Sequence, residues 1–251
     1  MAGHRIRYHH AFFAGFFLAA AAVVLLALPT RADSTSQSIT YENGTLIVSG
    51  SSNGDHVVLG MTDDRNHFEI SGYVPGRLPS NCASADQDRL VRCGTGGVDG
   101  MEVDTNGGGD FVEVSDALAV PLTIRLGTGS DKFIGNGERD TCYPGGSRRN
   151  RCIGGAGDDV CITGPRNSDC VGGPGEDYCQ HSTGSDGCWG GPGDDVCRMG
   201  PGQDGCHGEG GNDRLYGGAD PDQLYGGEGT DYCDGAPGRG KSHTCERGPQ
   251  H

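Results

Sequence analysis

The chain is poor in what most globular cores are made of. It has one tryptophan, and aromatics make up 6% of its 251 residues. Beyond the first 32 residues no stretch carries apolar residues at helical spacing, which excludes a helix bundle or an alternating α/β fold. Basic residues are scarce: 19 Lys and Arg stand against 34 Asp and Glu, a formal charge of −15. That balance gives no footing for nucleic acid or an anionic membrane surface as a partner and points toward cations. Neither H-E-x-x-H nor G-x-S-x-G occurs, so the commonest zinc-protease and serine-hydrolase signatures are missing. His56, His67 and His181 read as turn or surface residues. We expect a non-enzyme with no catalytic residues. No C-x-x-C pair occurs either, which argues against a zinc or dithiol redox site.

The first long apolar run, Ala11 to Leu28, follows Arg5 and Arg7 and precedes Thr30-Arg31-Ala32. A basic start, an apolar stretch and a small-x-small site describe a secretory signal peptide over residues 1–32. A membrane anchor is the alternative, since the run is close to the spanning minimum. Cleavage would move the charge from −15 to −18 through loss of Arg5, Arg7 and Arg31. The expected location is secreted, with no membrane partner afterwards.

What the chain has in abundance is glycine, 48 residues, with 12 cysteines. They are in phase. From Gly154 to Asp234 the sequence divides into blocks of nine: GGAGDDVCI, TGPRNSDCV, GGPGEDYCQ, HSTGSDGCW, GGPGDDVCR, MGPGQDGCH, GEGGNDRLY, GGADPDQLY, GGEGTDYCD. Glycine favours places one, two and four, Asp place six, and Cys or Leu place eight. This pattern, G-G-x-G-x-D-x-U-x, resembles the RTX (haemolysin-type) calcium-binding repeat. The resemblance implies an all-β fold, a parallel β-roll or β-solenoid in which residues two blocks apart stack one strand spacing from each other. Blocks LGTGSDKFI (126–134), GNGERDTCY (135–143) and, after an inserted Pro144, GGSRRNRCI (145–153) extend it upstream. We therefore expect an irregular β-solenoid or small β segment over 33–125, the roll over 126–243 and a tail over 244–251. Alternating apolar residues in TLIVSG, DHVVLG and HFEISGY mark strands of the upstream segment.

The resemblance also implies that calcium is held between stacked Gly-Asp turns by the place-six Asp and turn carbonyls, since calcium takes six to eight oxygens. One edge of the roll carries Asp159, Asp177, Asp195, Asp213 and Asp231 without a gap, with Asp140 a weaker neighbour. The opposite edge runs Ser168, Asp186, Asp204, Asp222, Gly240. Four sites are expected on the first edge and two on the second. Asp110 and Asp131 sit in similar but isolated turns.

Twelve cysteines in an exported chain imply disulfides. Pairing within each coil gives Cys142–Cys152, Cys161–Cys170, Cys179–Cys188 and Cys197–Cys206, leaving Cys82–Cys93 and Cys233–Cys245. The one coil without Cys loses both together, as Leu215 and Leu224. Bridges between stacked strands (Cys142–Cys161, Cys152–Cys170, Cys179–Cys197, Cys188–Cys206) also use every Cys. They fit the disulfide reach of about 7 Å more readily than sheets packed about 10 Å apart. The cross-core scheme is the one favoured, and it demands a flattened roll. The functional expectation is a secreted protein in which calcium is structural. A calcium-dependent adhesion module binding glycan or protein is the alternative, suggested by Val171, Trp189, His207 and Tyr225 recurring at every second block on the outer face. An accessory part of a secreted hydrolase ranks below it.

Overall fold

A computed structural model describes residues 37–72, 78–85, 90–146, 149–235 and 241–246. The signal segment lies outside them, as does most of the expected tail. Among the described residues no helix is long and apolar enough to cross a membrane.

The chain forms a β-solenoid of about seven turns with less regular strands at its N-terminal end. Two sheets, of ten and twelve strands, face each other. From Lys132 the chain alternates between them, and each strand pairs in parallel with the one two strands later. Cys161 thus stacks on Cys179 in one sheet, and Cys170 on Cys188 in the other. The register step is two blocks of the repeat, so identical places lie in rows.

Both sheets continue into the upstream segment, where the connections change. Strands β1 (Ser38–Glu42) and β2 (Thr45–Ser49) form an antiparallel hairpin at the end of the first sheet. Its turn is Asn43-Gly44, with φ of 50° and 83°, the dipeptide that a two-residue hairpin of this hand requires. Strands β3 (His56–Met61), β4 (His67–Ser71), β5 (Cys82–Ala85) and β6 (Leu90–Gly94) carry the second sheet out in antiparallel order. Both ends of the parallel stack at this side are thereby paired.

The core changes material along its length. Leu46, Val48, Val57, Leu59, Val103, Val112, Ile124 and Phe133 fill it upstream. Cysteine takes over from Cys142 to Cys206, and Leu215 and Leu224 follow.

The disulfides depart from the expected frame. Cys82–Cys93, Cys142–Cys152 and Cys233–Cys245 are bonded. The pairs Cys161–Cys170, Cys179–Cys188 and Cys197–Cys206 are not. Cys170 is joined to Cys179, and Cys161, Cys188, Cys197 and Cys206 are buried thiols. The reason is the stagger of the two sheets. Cys142–Cys152 crosses from the first sheet to the second and Cys170–Cys179 crosses back, yet both span 6.4 Å between Cα atoms. The two bonds belong to opposite frames and have the same span, so that span does not favour one frame over the other. The short span also means that the roll is flattened, well below the usual sheet separation of about 10 Å. Bridges between stacked strands are absent among the described residues of the roll.

Within the nine-residue blocks, two non-glycine residues take a left-handed backbone. Place two is Gly in neighbouring coils of the first edge, with φ of 121° at both Gly155 and Gly191, but Glu209 in a third, at φ 80°. Asp220 occupies place four of its coil at φ 78°. A left-handed backbone costs a non-glycine residue about 1–2 kcal/mol, partly offset by the greater freedom glycine brings to the unfolded chain. Glu209→Gly is therefore expected to stabilise the roll by about 0.5–1 kcal/mol, read as a rise in the thermal midpoint of the calcium-loaded protein.

Candidate metal centre

The place-six aspartates build two ladders. On the first edge the amide of each donates to the next carboxylate: Asp140 N to Asp159 Oδ1 at 2.7 Å, Asp159 to Asp177 at 2.7 Å, Asp177 to Asp195 at 2.7 Å, Asp195 to Asp213 at 2.8 Å and Asp213 to Asp231 at 2.9 Å. On the second edge Ser168 donates to Asp186 at 2.7 Å, Asp186 to Asp204 at 2.8 Å and Asp204 to Asp222 at 3.1 Å. Each Asp thus commits Oδ1 to the neighbouring coil. The second oxygen, Oδ2, of Asp159, Asp177, Asp186, Asp195, Asp204, Asp213, Asp222 and Asp231 is buried and has no hydrogen-bond partner. Asp140 differs: its Oδ2 accepts from the Asn136 amide at 3.2 Å.

Glycine at place one follows from this carboxylate. A Cβ on Gly172 would lie 2.2 Å from Asp177 Oδ2, and one on Gly190 would lie 2.1 Å from Asp195 Oδ2. Every first-edge coil from Gly135 to Gly226 repeats the arrangement. Among second-edge coils from Thr163 on, only Gly217 repeats it, its Cβ position 2.4 Å from Asp222 Oδ2. There place one is Thr163, His181, Met199 and Gly217, and the first three side chains are buried. Thr163 Oγ1 and His181 Nδ1 lie 3.1 Å apart, and Nδ1 is 3.8 Å from Asp186 Oδ1. Burial pushes the His181 imidazole down to about 4, so it is neutral at ordinary pH. The two edges therefore differ in the space beside the carboxylate as well as in their count of acids.

Two features escaped the sequence reading. The second-edge ladder has an upstream section, with Asp55 N donating to Asp110 Oδ1 at 2.7 Å, Asp110 N to Asp131 at 3.0 Å and Asp131 N to Asn150 Oδ1 at 2.8 Å. Asp110 and Asp131 also keep an unpartnered buried Oδ2. Their sequence separations of 55, 21 and 19 hid the row. Place five forms an outer row beside the first edge, with Asp158 accepting from Glu176 N at 2.9 Å and Asp194 from Asn212 N at 2.7 Å. The in-phase polar residues at place five were its sequence signal.

A family model for the RTX calcium-binding nonapeptide repeat, in four copies, matches residues 123–148 and 207–240. The chain carries RTX repeats. No curated protein and no solved structure matches it. The two matched stretches flank the coils in which cysteine holds place eight, and the ladder geometry runs unbroken between them.

RTX repeats bind calcium in general, and the donor set here fits a hard cation. Carboxylate oxygens lie in rows, buried, without protein donors to satisfy them, and a buried unpaired acceptor is costly. Burial pushes Asp159 and Asp195 up to about 8, opposed by the ladder hydrogen bonds and reinforced by the neighbouring acids. It takes Asp140 to about 7, and Asp177, Asp213, Asp186, Asp204 and Asp222 to about 6. These carboxyls hold protons in the calcium-free fold that they release when it unfolds. Their stabilising effect is full below about 3.8 and is lost as pH rises through 6 to 8. Calcium-free protein is expected to melt at a higher temperature at pH 5 than at pH 8. With saturating calcium the trend should vanish or reverse, which differential scanning calorimetry at the two pH values checks.

Proposed function

We propose that the protein is an exported calcium-binding β-roll in which the ion is structural. The observation that carries this reading is the row of buried Oδ2 atoms from Asp159 to Asp231. Asp159, Asp177, Asp195, Asp213 and Asp231 would hold ions between successive first-edge turns, with turn carbonyls completing the shell. Asp140 contributes less, since both of its oxygens are hydrogen-bonded. On the second edge Asp186, Asp204 and Asp222 flank two further sites, with His181 and Met199 crowding them. Bound calcium supplies positive charge that neutralises the stacked carboxylates and joins coil to coil. Affinities of about 10⁻⁴–10⁻³ M per site suffice outside a cell. Disulfides fit an oxidising compartment, and the apolar run before Asp33 supports export.

Calorimetric calcium titration of protein recovered from the medium, with N-terminal sequencing of the same sample, tests the proposal. The chain should begin near Asp33 and bind at least four ions. Asp195→Asn should remove about two of them, because each first-edge Asp faces two turns, while Asp186→Asn should remove no more than one. Equal losses from both variants would defeat the two-edge assignment.

A second reading, a ligand-binding outer face, is favoured by one observation. Trp189, His207 and Tyr225 stack nearly parallel, with centroids 5.8 and 4.6 Å apart. Gly187 makes room for the indole, since a Cβ there would meet it at 2.6 Å. A groove of about 380 Å³ beside Trp189 is also lined by Arg151, Asp169, Pro192 and Glu209. On this reading Trp189→Ala abolishes glycan binding on a carbohydrate array while calcium stoichiometry stays unchanged. Binding that survives the substitution would remove the reading.

A further inference from the structure

Three of the four buried thiols form a cluster inside the roll. The Sγ atoms of Cys188, Cys197 and Cys206 all lie within 4.8 Å of one another. Cys188 and Cys206 are neighbours on the second sheet, and Cys197 reaches toward them from the first. Met199 is also buried and brings its Sδ to 3.3 Å from Cys197 Sγ. The Cys170–Cys179 bridge closes one side, since Cys170 stacks on Cys188 and Cys179 on Cys197. Leu215 stacks on Cys197 and Leu224 on Cys206 on the other side.

Three is an awkward number for disulfides. A bridge between any two leaves a buried thiol whose remaining neighbours are already joined, and Cys161 lies beyond the Cys170–Cys179 bridge. A single ion uses all three. The donors are thiol and thioether sulfur. Structural zinc takes four Cys or His ligands, and calcium takes oxygen. Soft sulfur donors suit copper(I), zinc and iron–sulfur clusters, and a thioether as fourth donor, outside the Cys, His and carboxylate set of zinc, favours copper(I) among them.

We propose that Cys188, Cys197, Cys206 and Met199 form a cuprous-ion site in the core, distinct in chemistry from the oxygen-lined turns on the edges. Binding transfers no electron. Two thiols lose protons to solvent and bind copper(I) as thiolates, while the third thiol and the thioether donate lone pairs. The buried complex carries one net negative charge. A thiol gives up its proton when it binds a metal as thiolate, so uptake releases protons. The cluster is sealed in the folded roll, so loading accompanies closure of its coil.

The test uses the full chain, refolded with calcium without oxygen, its isolated disulfides left intact, in the presence of copper(I) buffered by bicinchoninate. The expected result is one copper(I) per chain, two protons released, and an all-sulfur shell by X-ray absorption. Met199→Leu, which keeps volume and leaves the thiols in place, should weaken binding about tenfold. Cys197→Ser should abolish it, and Cys161→Ser should leave it unchanged, each with calcium-dependent circular dichroism intact. Failure to retain copper, nitrogen or oxygen in the shell, or preference for zinc in direct competition would overturn the site. So would retention of copper by Cys197→Ser. Peptide mapping of the isolated chain that finds Cys179–Cys188 and Cys197–Cys206 linked would also overturn it, because those bonds consume the thiols.

Discussion

Each turn of the roll rests on the one hydrogen bond that runs from the amide of a place-six residue to the Oδ1 of the Asp one coil further on. It is short, repeated on both edges, and possible only because each coil spans two blocks and the sheets are parallel. The bond uses one carboxylate oxygen to hold the coil spacing and, on the first edge, leaves the other in a place where a Cβ at place one would lie within about 2.4 Å of it. The Gly at place one and the Asp at place six are therefore one device. Stacking identical acids at one strand spacing, out of water, puts repulsion and desolvation on the same groups. They are relieved by taking up protons or by taking up a cation. The calcium chemistry follows from how the backbone is held, and an Asp→Asn exchange separates the two, since Asn keeps the Oδ1 acceptor of the ladder, as Asn150 does, and loses the charge.

The two edges solve this problem differently. First-edge coils keep glycine at place one throughout, so each Oδ2 faces backbone and its neighbours in the row. Second-edge coils put Thr163, His181 and Met199 there and bury them. A neutral imidazole 3.8 Å from Asp186 and a thioether shared with the sulfur cluster occupy the second edge with side-chain packing. The first edge remains given over to oxygen, and the outer row at place five, Asp158 and Asp194 among it, lies beside that edge.

The nine-residue period made the roll, its inward cysteines and the Asp rows legible, because a strict repeat converts spacing in sequence directly into stacking in space. Where the period breaks, legibility ends. Asp55, Asp110 and Asp131 belong to one row, but the β4–β6 excursion and uneven coil lengths separate them in sequence. The Asn43-Gly44 hairpin, which ends the first sheet, went unread although its dipeptide is the signal for such a turn. The disulfide frame had a different obstacle. Cys142–Cys152 and Cys170–Cys179 belong to opposite frames yet span the same 6.4 Å, so the period that fixes the row leaves the partner undecided. The joint loss of Cys at Leu215 and Leu224 fits pairing within coils; in the opposite frame the two belong to different pairs, and Leu215 leaves Cys206 without a partner across the core, as it is here.

The stagger of the two sheets also decides what the core can do mechanically. A bridge across the core does more than tie one sheet to the other. Because the facing residues are displaced along the axis, Cys170–Cys179 and Cys142–Cys152 also tie one level of the stack to the next, as the proposed ion between turns would on the edge. Solenoids are stabilised by nearest-neighbour interfaces between repeats, and between Cys142 and Cys206 a sulfur tie is present at these two levels only. Small sulfur rungs let the sheets approach to 6.4 Å, which leaves little apolar area to bury and makes those ties more important. Where the chain returns to leucine at Leu215 and Leu224 it has no sulfur tie, and there the first-edge carboxylates Asp213 and Asp231 remain in row with unpartnered oxygens. In that coil, cohesion across the interface comes from the backbone ladder, the buried leucines, the His207–Tyr225 stack and whatever cation those two oxygens hold.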